Sequence, residues 1–272
     1  MKLLPLALSL PTLLASPLST PAHTDHRIPT SYESAVMGRR ILALSKLADF
    51  STTFPVSHSH ADEDADAFGG RPDDVDGLPI NMMDYIADCE DSGNPTVLAI
   101  KIATTFRNAA AGSNVSVSLR WMPPYPPSRR IMPSLWDRAW AAVFGGEAED
   151  LSAPDTVPYS AANLPRMSLL GYFEPIDDIK EAPWLTTCFV KKHPDAKYWL
   201  PGNPIHESYW ARLVVEQVYW VGGFGDRAYI GWIPIEEWRS VTKEEWQSIR
   251  LPGEKKGWKE WNALDGVGEM DL

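Results

Sequence analysis

Apolar residues recur along this chain with either a helical or a strand period, and the two rhythms divide it into elements. Residues 30–33 (Thr-Ser-Tyr-Glu) have the spacing of a capping box, in which hydroxyl and carboxylate satisfy orphan backbone amides at a helix start. They predict a helix to about Lys46, with Met37, Ile41 and Leu44 on one stripe and Val36, Ala43 and Leu47 beside it. A strand follows over 48–54, ended by Pro55. Residues 57–76 are polar, acidic and broken by Gly-Gly and Pro, which predicts a long loop or hairpin tip. Residues 78–86 read as a strand running into a short helix. Residues 96–105 alternate, with Leu98, Ile100 and Ile102 on one face and Val97, Ala99, Lys101 and Ala103 on the other. Residues 115–120 alternate again.

The second half continues in the same way. After the Pro-rich residues 121–133, Leu135, Trp136, Ala139, Trp140 and Val143 have helical spacing and predict a short helix over 134–144. Residues 145–165 keep no period. Strand alternation returns over 166–174, with Met167, Leu169, Gly171 and Phe173 on one side. Asp177 or Asp178 is placed to cap a helix to about His193, where Pro194 stops it. The strongest strand spans 207–221, with Tyr209, Ala211, Leu213, Val215, Gln217, Tyr219 and Val221 on one face and Trp210 to Trp220 on the other. Gly222 to Gly225 break it, and 228–235 return. A second capping box at 242–245 opens a terminal helix, and the Gly- and charge-rich residues 251–272 read as a loose tail. These elements predict a mainly β, α+β fold: a closed or split β-barrel of about six strands with peripheral helices over 23–250. Residues 121–165 form an excursion from it.

Charge and composition narrow the function. The net charge of −11 argues against a nucleic-acid or anionic-membrane partner, since phosphates need a basic face. The 24 prolines exclude an all-helical bundle. Past residue 20 no apolar run is long enough for a membrane span. Residues 1–22 carry Lys2, an apolar stretch from Leu3 to Ala15, and Thr20 and Ala22 before a peptidase site, which predicts a secretory signal; the alternative is a buried N-terminal helix. Secretion changes the reading of Cys89 and Cys188, an even pair in an oxidising compartment that is either a disulfide or two buried thiols. Asn114-Val115-Ser116 is an N-glycosylation acceptor after a turn-like Ala-Gly-Ser, whereas Pro95 disqualifies Asn94-Pro95-Thr96.

Four ordered pieces carry a family resemblance: Gly93-Asn94-Pro95, Pro165 to Gly171 with Arg166 inside it, His193-Pro194-Asp195-Ala196, and Tyr219 to Ala228 with Gly222, Gly223, Phe224 and Gly225. Over about residues 30–240 the chain resembles the CREG-like secreted branch of the pyridoxamine-5′-phosphate-oxidase-like superfamily, the FMN-binding split barrels. The resemblance implies a homodimeric split barrel. Some relatives bind FMN at the dimer interface and transfer hydride. The animal CREG-like proteins are secreted or lysosomal glycoproteins with no established catalytic activity, and a heme-utilisation branch shares the Gly-Gly-Phe-Gly motif.

An FMN phosphate needs cations, hydroxyls or backbone amides. By that resemblance its cradle falls in residues 84–91, which carry Asp84, Asp88, Glu90 and Asp91 and no cation. The preceding acidic hairpin has only Arg71. The expectation is that the cradle is lost, with FMN still possible if Arg107 or Arg166 substitutes. Protease and hydrolase signatures are lacking, and Gly222 to Gly225 read as a turn between antiparallel strands. His58 to Asp66 read as a solvated acidic loop or a weak cation collector, with no metal site assigned. No histidine follows His206 to serve as a tail ligand to heme. Trp121, Tyr125, Trp136 and Trp140 make the excursion an aromatic flap on the barrel, a lid over a cleft or a surface for a protein partner. The sequence therefore points to a secreted, vacuolar or lysosome-like glycoprotein, a non-catalytic binding or regulatory homodimer. The alternatives are an FMN-dependent oxidoreductase and a metal- or heme-handling protein.

Overall fold

A computed structural model describes residues 27–56, 72, 74–125, 143, 161–177, 182–225 and 227–256. The signal segment, the His58 to Asp66 run, Trp136, Trp140 and residues 257–272 lie outside them.

Helix α1, Ser31–Leu44, opens on the expected capping box. Strand β1, Leu47–Thr53, pairs antiparallel with β2, Pro79–Tyr85. β2 is strand throughout its length, and no helix grows from it. Strand β3, Thr96–Ile100, is shorter than its alternation predicts, and helix α2, Thr104–Ala110, takes over. The reason is burial. Helical geometry turns Phe106 into the core beside Phe173, with ring centroids 5.2 Å apart. It also lets buried Asn108 donate Nδ2–H to Thr52 Oγ1 at 3.1 Å. Tertiary packing thus overrides the strand preference of Thr104 and Thr105. Then come β4, Val115–Arg120, β5, Arg166–Pro175, helix α3, Ala182–Lys192, and β6, Ser208–Val221. Strand β7, Ile230–Ile233, and helices α4, Ile235–Ser240, and α5, Lys243–Ser248, end the described chain. The returning strand over 228–235 is therefore shorter than expected, because Pro234 caps α4.

The sheet order is β2-β1-β4-β5-β6-β3, with β7 on β6, seven strands in all among the described residues. All pairings are antiparallel. Ala87, just past β2, exchanges two backbone hydrogen bonds with Thr96 at the start of β3, so the last strand closes back toward the first. Among the described residues nothing else pairs with β2 on that side, and the barrel is split.

The main core fills the barrel with Phe50, Val97, Val117, Leu169, Leu213, Val215, Val218 and Trp220, lidded by Ile41 and Leu42 of α1 and by Trp238. A second cluster sits outside, where Leu185 and Phe189 of α3 pack on Leu98 and Trp210. This explains why both faces of β3 are buried. Cys89 and Cys188 are bridged across this cluster, 99 residues apart in sequence.

The even alternation expected over 207–221 breaks once. The β5–β6 register shifts at Leu170/Gly171, and Glu216 and Gln217 are both exposed in succession. That β-bulge reverses the phase: Leu213 and Val215 point inward before it, Val218 and Trp220 after it. Gln217, Tyr219 and Val221 therefore lie on the outer face.

The tail is docked at its start. Leu251 is buried, the indole of Trp121 donates to the Pro252 carbonyl at 2.6 Å, and Arg40 Nε donates to Glu254 at 2.8 Å.

Candidate functional site

The family-motif residues hold backbone in place. At the β6 bulge a strand amide would lack a ladder partner, and Asn94 Oδ1 accepts it, from Val215 N–H at 2.9 Å. Arg239 donates to the Val215 carbonyl at 3.0 Å. Across the bulge a Cβ on Gly171 would meet the Val214 carbonyl oxygen at 1.8 Å, so only glycine fits. The Pro95 carbonyl accepts from Leu213 N–H at 2.9 Å. His193 is buried between Tyr85 and Phe189, and its Nε2 lies 2.8 Å from the Ile86 carbonyl. Burial lowers its pKa. Pro194 opens a short 3-10 turn. Gly222 to Gly225 connect β6 to β7 as an antiparallel turn, with Gly222 N–H donating to the Tyr229 carbonyl; Phe224 is exposed there.

Two carboxylates of the acidic stretch 84–91 are matched by cations that arrive from other elements. Glu90 pairs with Arg212 of β6 at 2.7 Å, and Asp91 pairs with Lys243 of α5 at 2.9 Å. Buried Arg39 of α1 donates to the carbonyls of Asp91, Trp238 and Val241. Asp88 lies beneath, both oxygens buried and without hydrogen-bond partners. Burial pushes its pKa up to about 6, against the attraction of Arg39. Lys192, half-buried, is lowered to about 8 by desolvation. The segment joins α1, β6, α3 and α5: the Asp88 oxygens are buried within it, Glu90 is largely covered, and the Asp91–Lys243 pair lies at the surface. Pairing of Glu90 and Asp91 removes part of the electrostatic objection to a bound phosphate. Sequence reading missed Arg39, Arg212 and Lys243 because each lies far along the chain from the carboxylate it faces.

An open surface exists elsewhere, on the outer face of β1, β4, β5 and β6. Register aligns three rows across it. One row is Arg120, Arg166, Val221 and Ile230; the next is Asp49, Ser118, Ser168, Tyr219 and Trp232; the third is Ser51, Ser116, Leu170 and Gln217. Ser116 and Ser168 share a hydroxyl hydrogen bond of 2.8 Å. Tyr219 and Trp232 meet edge to face at 5.1 Å. Two shallow depressions mark this face. One, of about 340 Å³, is lined by Ser51, Thr53, Asn114 and Gln217. The other, of about 350 Å³, is lined by Asp49, Ser118, Arg120, Arg166 and Tyr219. Asn114 is exposed just before β4. Arg166 thus stands on an open face, while Arg107 belongs to α2. Arg120 was missed, although the sequence carries a signal for it. Strands 115–120 and 166–174 flank one excursion, and hairpin pairing across it sets its two terminal arginines opposite each other.

Trp121 and Tyr125 root the excursion against the tail, Tyr125 N–H donating to the Gly253 carbonyl. The helix expected over 134–144 lies outside the described residues except for exposed Val143. Among the described residues no helix is long and apolar enough to cross a membrane, and no cluster of His, Cys, Asp or Glu is placed to hold a metal ion.

Seven antiparallel strands, a closing bridge and a bulge held by an Asn-Pro define a split-barrel protein of the CREG-like type. Residues 29–240 match the CREG β-barrel family, and the chain belongs to it. Among solved structures the chain is similar to Atu2129 of Agrobacterium tumefaciens C58, a protein of unknown function (21% identity, TM-score 0.44, 86% of this chain, 64% of that one). It is also similar to a heme binding protein of Mycobacterium smegmatis (15% identity, TM-score 0.46, 79% and 62%). A FAD-binding protein of Mesorhizobium loti is a further match (12% identity, TM-score 0.36, 66% and 87%). The chain spans less than two thirds of the first two. No curated protein matches it.

Proposed function

We propose that this CREG-type barrel is a non-catalytic binding protein of the secretory pathway, glycosylated at Asn114 and working as a homodimer. The observation that carries the reading is the use of the family-motif residues: Asn94, Gly171, His193 and Gly222 each hold backbone and present no reactive group to a cleft. Two features agree with passage through an oxidising compartment: the Cys89–Cys188 bridge and the exposed acceptor Asn114.

A second reading, an FMN-dependent oxidoreductase, is favoured by one observation. Glu90 and Asp91 are ion-paired, so the acidic stretch repels a phosphate less than its sequence implies.

Expression of the full chain in a secretory host separates the readings. The proposal expects oxidised, glycosidase-sensitive protein in the medium, a larger mass than the N114Q variant, and no flavin bands at about 370 and 450 nm. Stoichiometric FMN released on denaturation would establish the second reading. Retention inside the cell with both cysteines reduced would overturn the secretory assignment.

A further inference from the structure

We propose that Arg120 and Arg166 form a binding site for a phosphate-type oxyanion on the outer face of the sheet. The site does not depend on whether the chain is secreted. The two residues are directly opposed across the β4–β5 ladder, and both are exposed. Like charges directly opposite each other destabilise a sheet. An anion between them removes that repulsion.

The telling feature is that among the described residues neither has a carboxylate partner. The chain has 36 acidic residues against 25 basic ones, and other arginines find acids: Arg27 with Glu33, Arg40 with Glu254, Arg212 with Glu90. Among the described residues Arg166 donates only to the Ala162 carbonyl, at 3.3 Å. The Arg120 side chain has no hydrogen-bond or ion-pair partner there.

The surroundings suit an oxyanion. Guanidinium groups offer planar pairs of N–H donors that match phosphate oxygens. The hydroxyls of Ser118, Ser168 and Tyr219 line the same depression of about 350 Å³ and supply donors for the remaining lone pairs. Asp49, opposite Ser118, also lines it and repels an anion toward the arginine end. Beyond Tyr219, exposed Trp232 extends a ledge of aromatic surface, on which the body of a phosphate ester can rest. The shared chemistry is a tetrahedral dianion, free or carried on a small organic group.

Calorimetry and thermal denaturation of the full-length protein test the assignment, with inorganic phosphate and glucose 6-phosphate as probes. Saturable binding of one anion per chain is expected. R120Q and R166Q should each weaken it about tenfold or more, and D49N should strengthen it. K197Q, which removes an exposed cation away from the site, should leave it unchanged. Phosphate should raise the melting temperature of wild type and not that of R120Q/R166Q. Without anion, the double variant should melt no lower than wild type, because a repulsion has been removed. Tighter binding of glucose 6-phosphate, lost in W232A, assigns the site to an ester; equal affinity assigns it to free phosphate. The proposal is overturned if neither probe binds saturably, or if R120Q/R166Q binds them as wild type does.

Discussion

At the scale of single residues, stability is concentrated in groups whose roles are invisible without their partners. Asn94 and Gly171 lie on opposite sides of one bulge, the first accepting the Val215 amide and the second admitting the Val214 carbonyl. Removing the acceptor leaves an N–H unpartnered, so N94A should cost about 1–3 kcal/mol in urea denaturation. Asp88 makes a sharper case. Its folded pKa of about 6 lies above the ordinary aspartate value of about 3.9. The folded state therefore binds the proton more tightly than the unfolded chain, and ionised Asp88 opposes folding. That penalty, about 3 kcal/mol at neutral pH, fades as pH falls through 6 toward 4. D88N should accordingly raise stability at pH 7.5, with the gain shrinking to little near pH 4. If D88N instead lowers stability at neutral pH, the attraction of Arg39 outweighs burial.

At the scale of elements, sequence periodicity identified what is local and missed what is decided by packing. Both capping boxes start helices where their Ser/Thr-x-x-Glu spacing places them, since all the groups involved lie within one turn. Strands β1, β4 and β5 were legible because one face of each is buried against the main core, and β6 because its apolar run is long. Helix α2 was not, because its helical state depends on Phe106 meeting Phe173 and Asn108 meeting Thr52. The β6 bulge was hidden for a related reason: apolar residues run through both faces of 207–221, so a phase reversal leaves no mark in the pattern. Helix α3 shows how an outer element is retained. Leu185 and Phe189 pack on Leu98 and Trp210, and the Cys89–Cys188 bridge ties that layer to the residues after β2. A bridge closing so long a loop constrains the unfolded chain by about 4–5 kcal/mol in the chain-entropy model. C89S/C188S should therefore unfold at a clearly lower urea concentration with a similar m-value. An unchanged midpoint would mean that the second cluster alone holds the helix.

For the molecule as a whole, segments remote in sequence meet at one place. Arg40 of α1 is nearly buried and contacts Glu254 and the Trp246 carbonyl. Trp121 and Tyr125, where the excursion leaves β4, bond to the carbonyls of Pro252 and Gly253. Leu251 fills the core between them. Composition alone marked residues 251–272 as loose, because glycine and charge usually accompany solvated ends. A buried arginine changes that expectation: it needs an acid, and Glu254 arrives only if the chain continues past Arg250. Removing one partner of a buried pair strands the other charge, at a cost of about 3–5 kcal/mol. Loss of Leu251 from the core adds to it. A chain ending at Arg250 should therefore melt many degrees lower than one ending at Lys256. E254Q in the otherwise intact chain separates charge from packing. It keeps the side-chain volume and one hydrogen-bond acceptor, so it should recover part of the loss if Arg40 pairing dominates. If E254Q matches wild type while the Arg250 truncation still melts low, Leu251 and the Trp121 contact hold the tail instead.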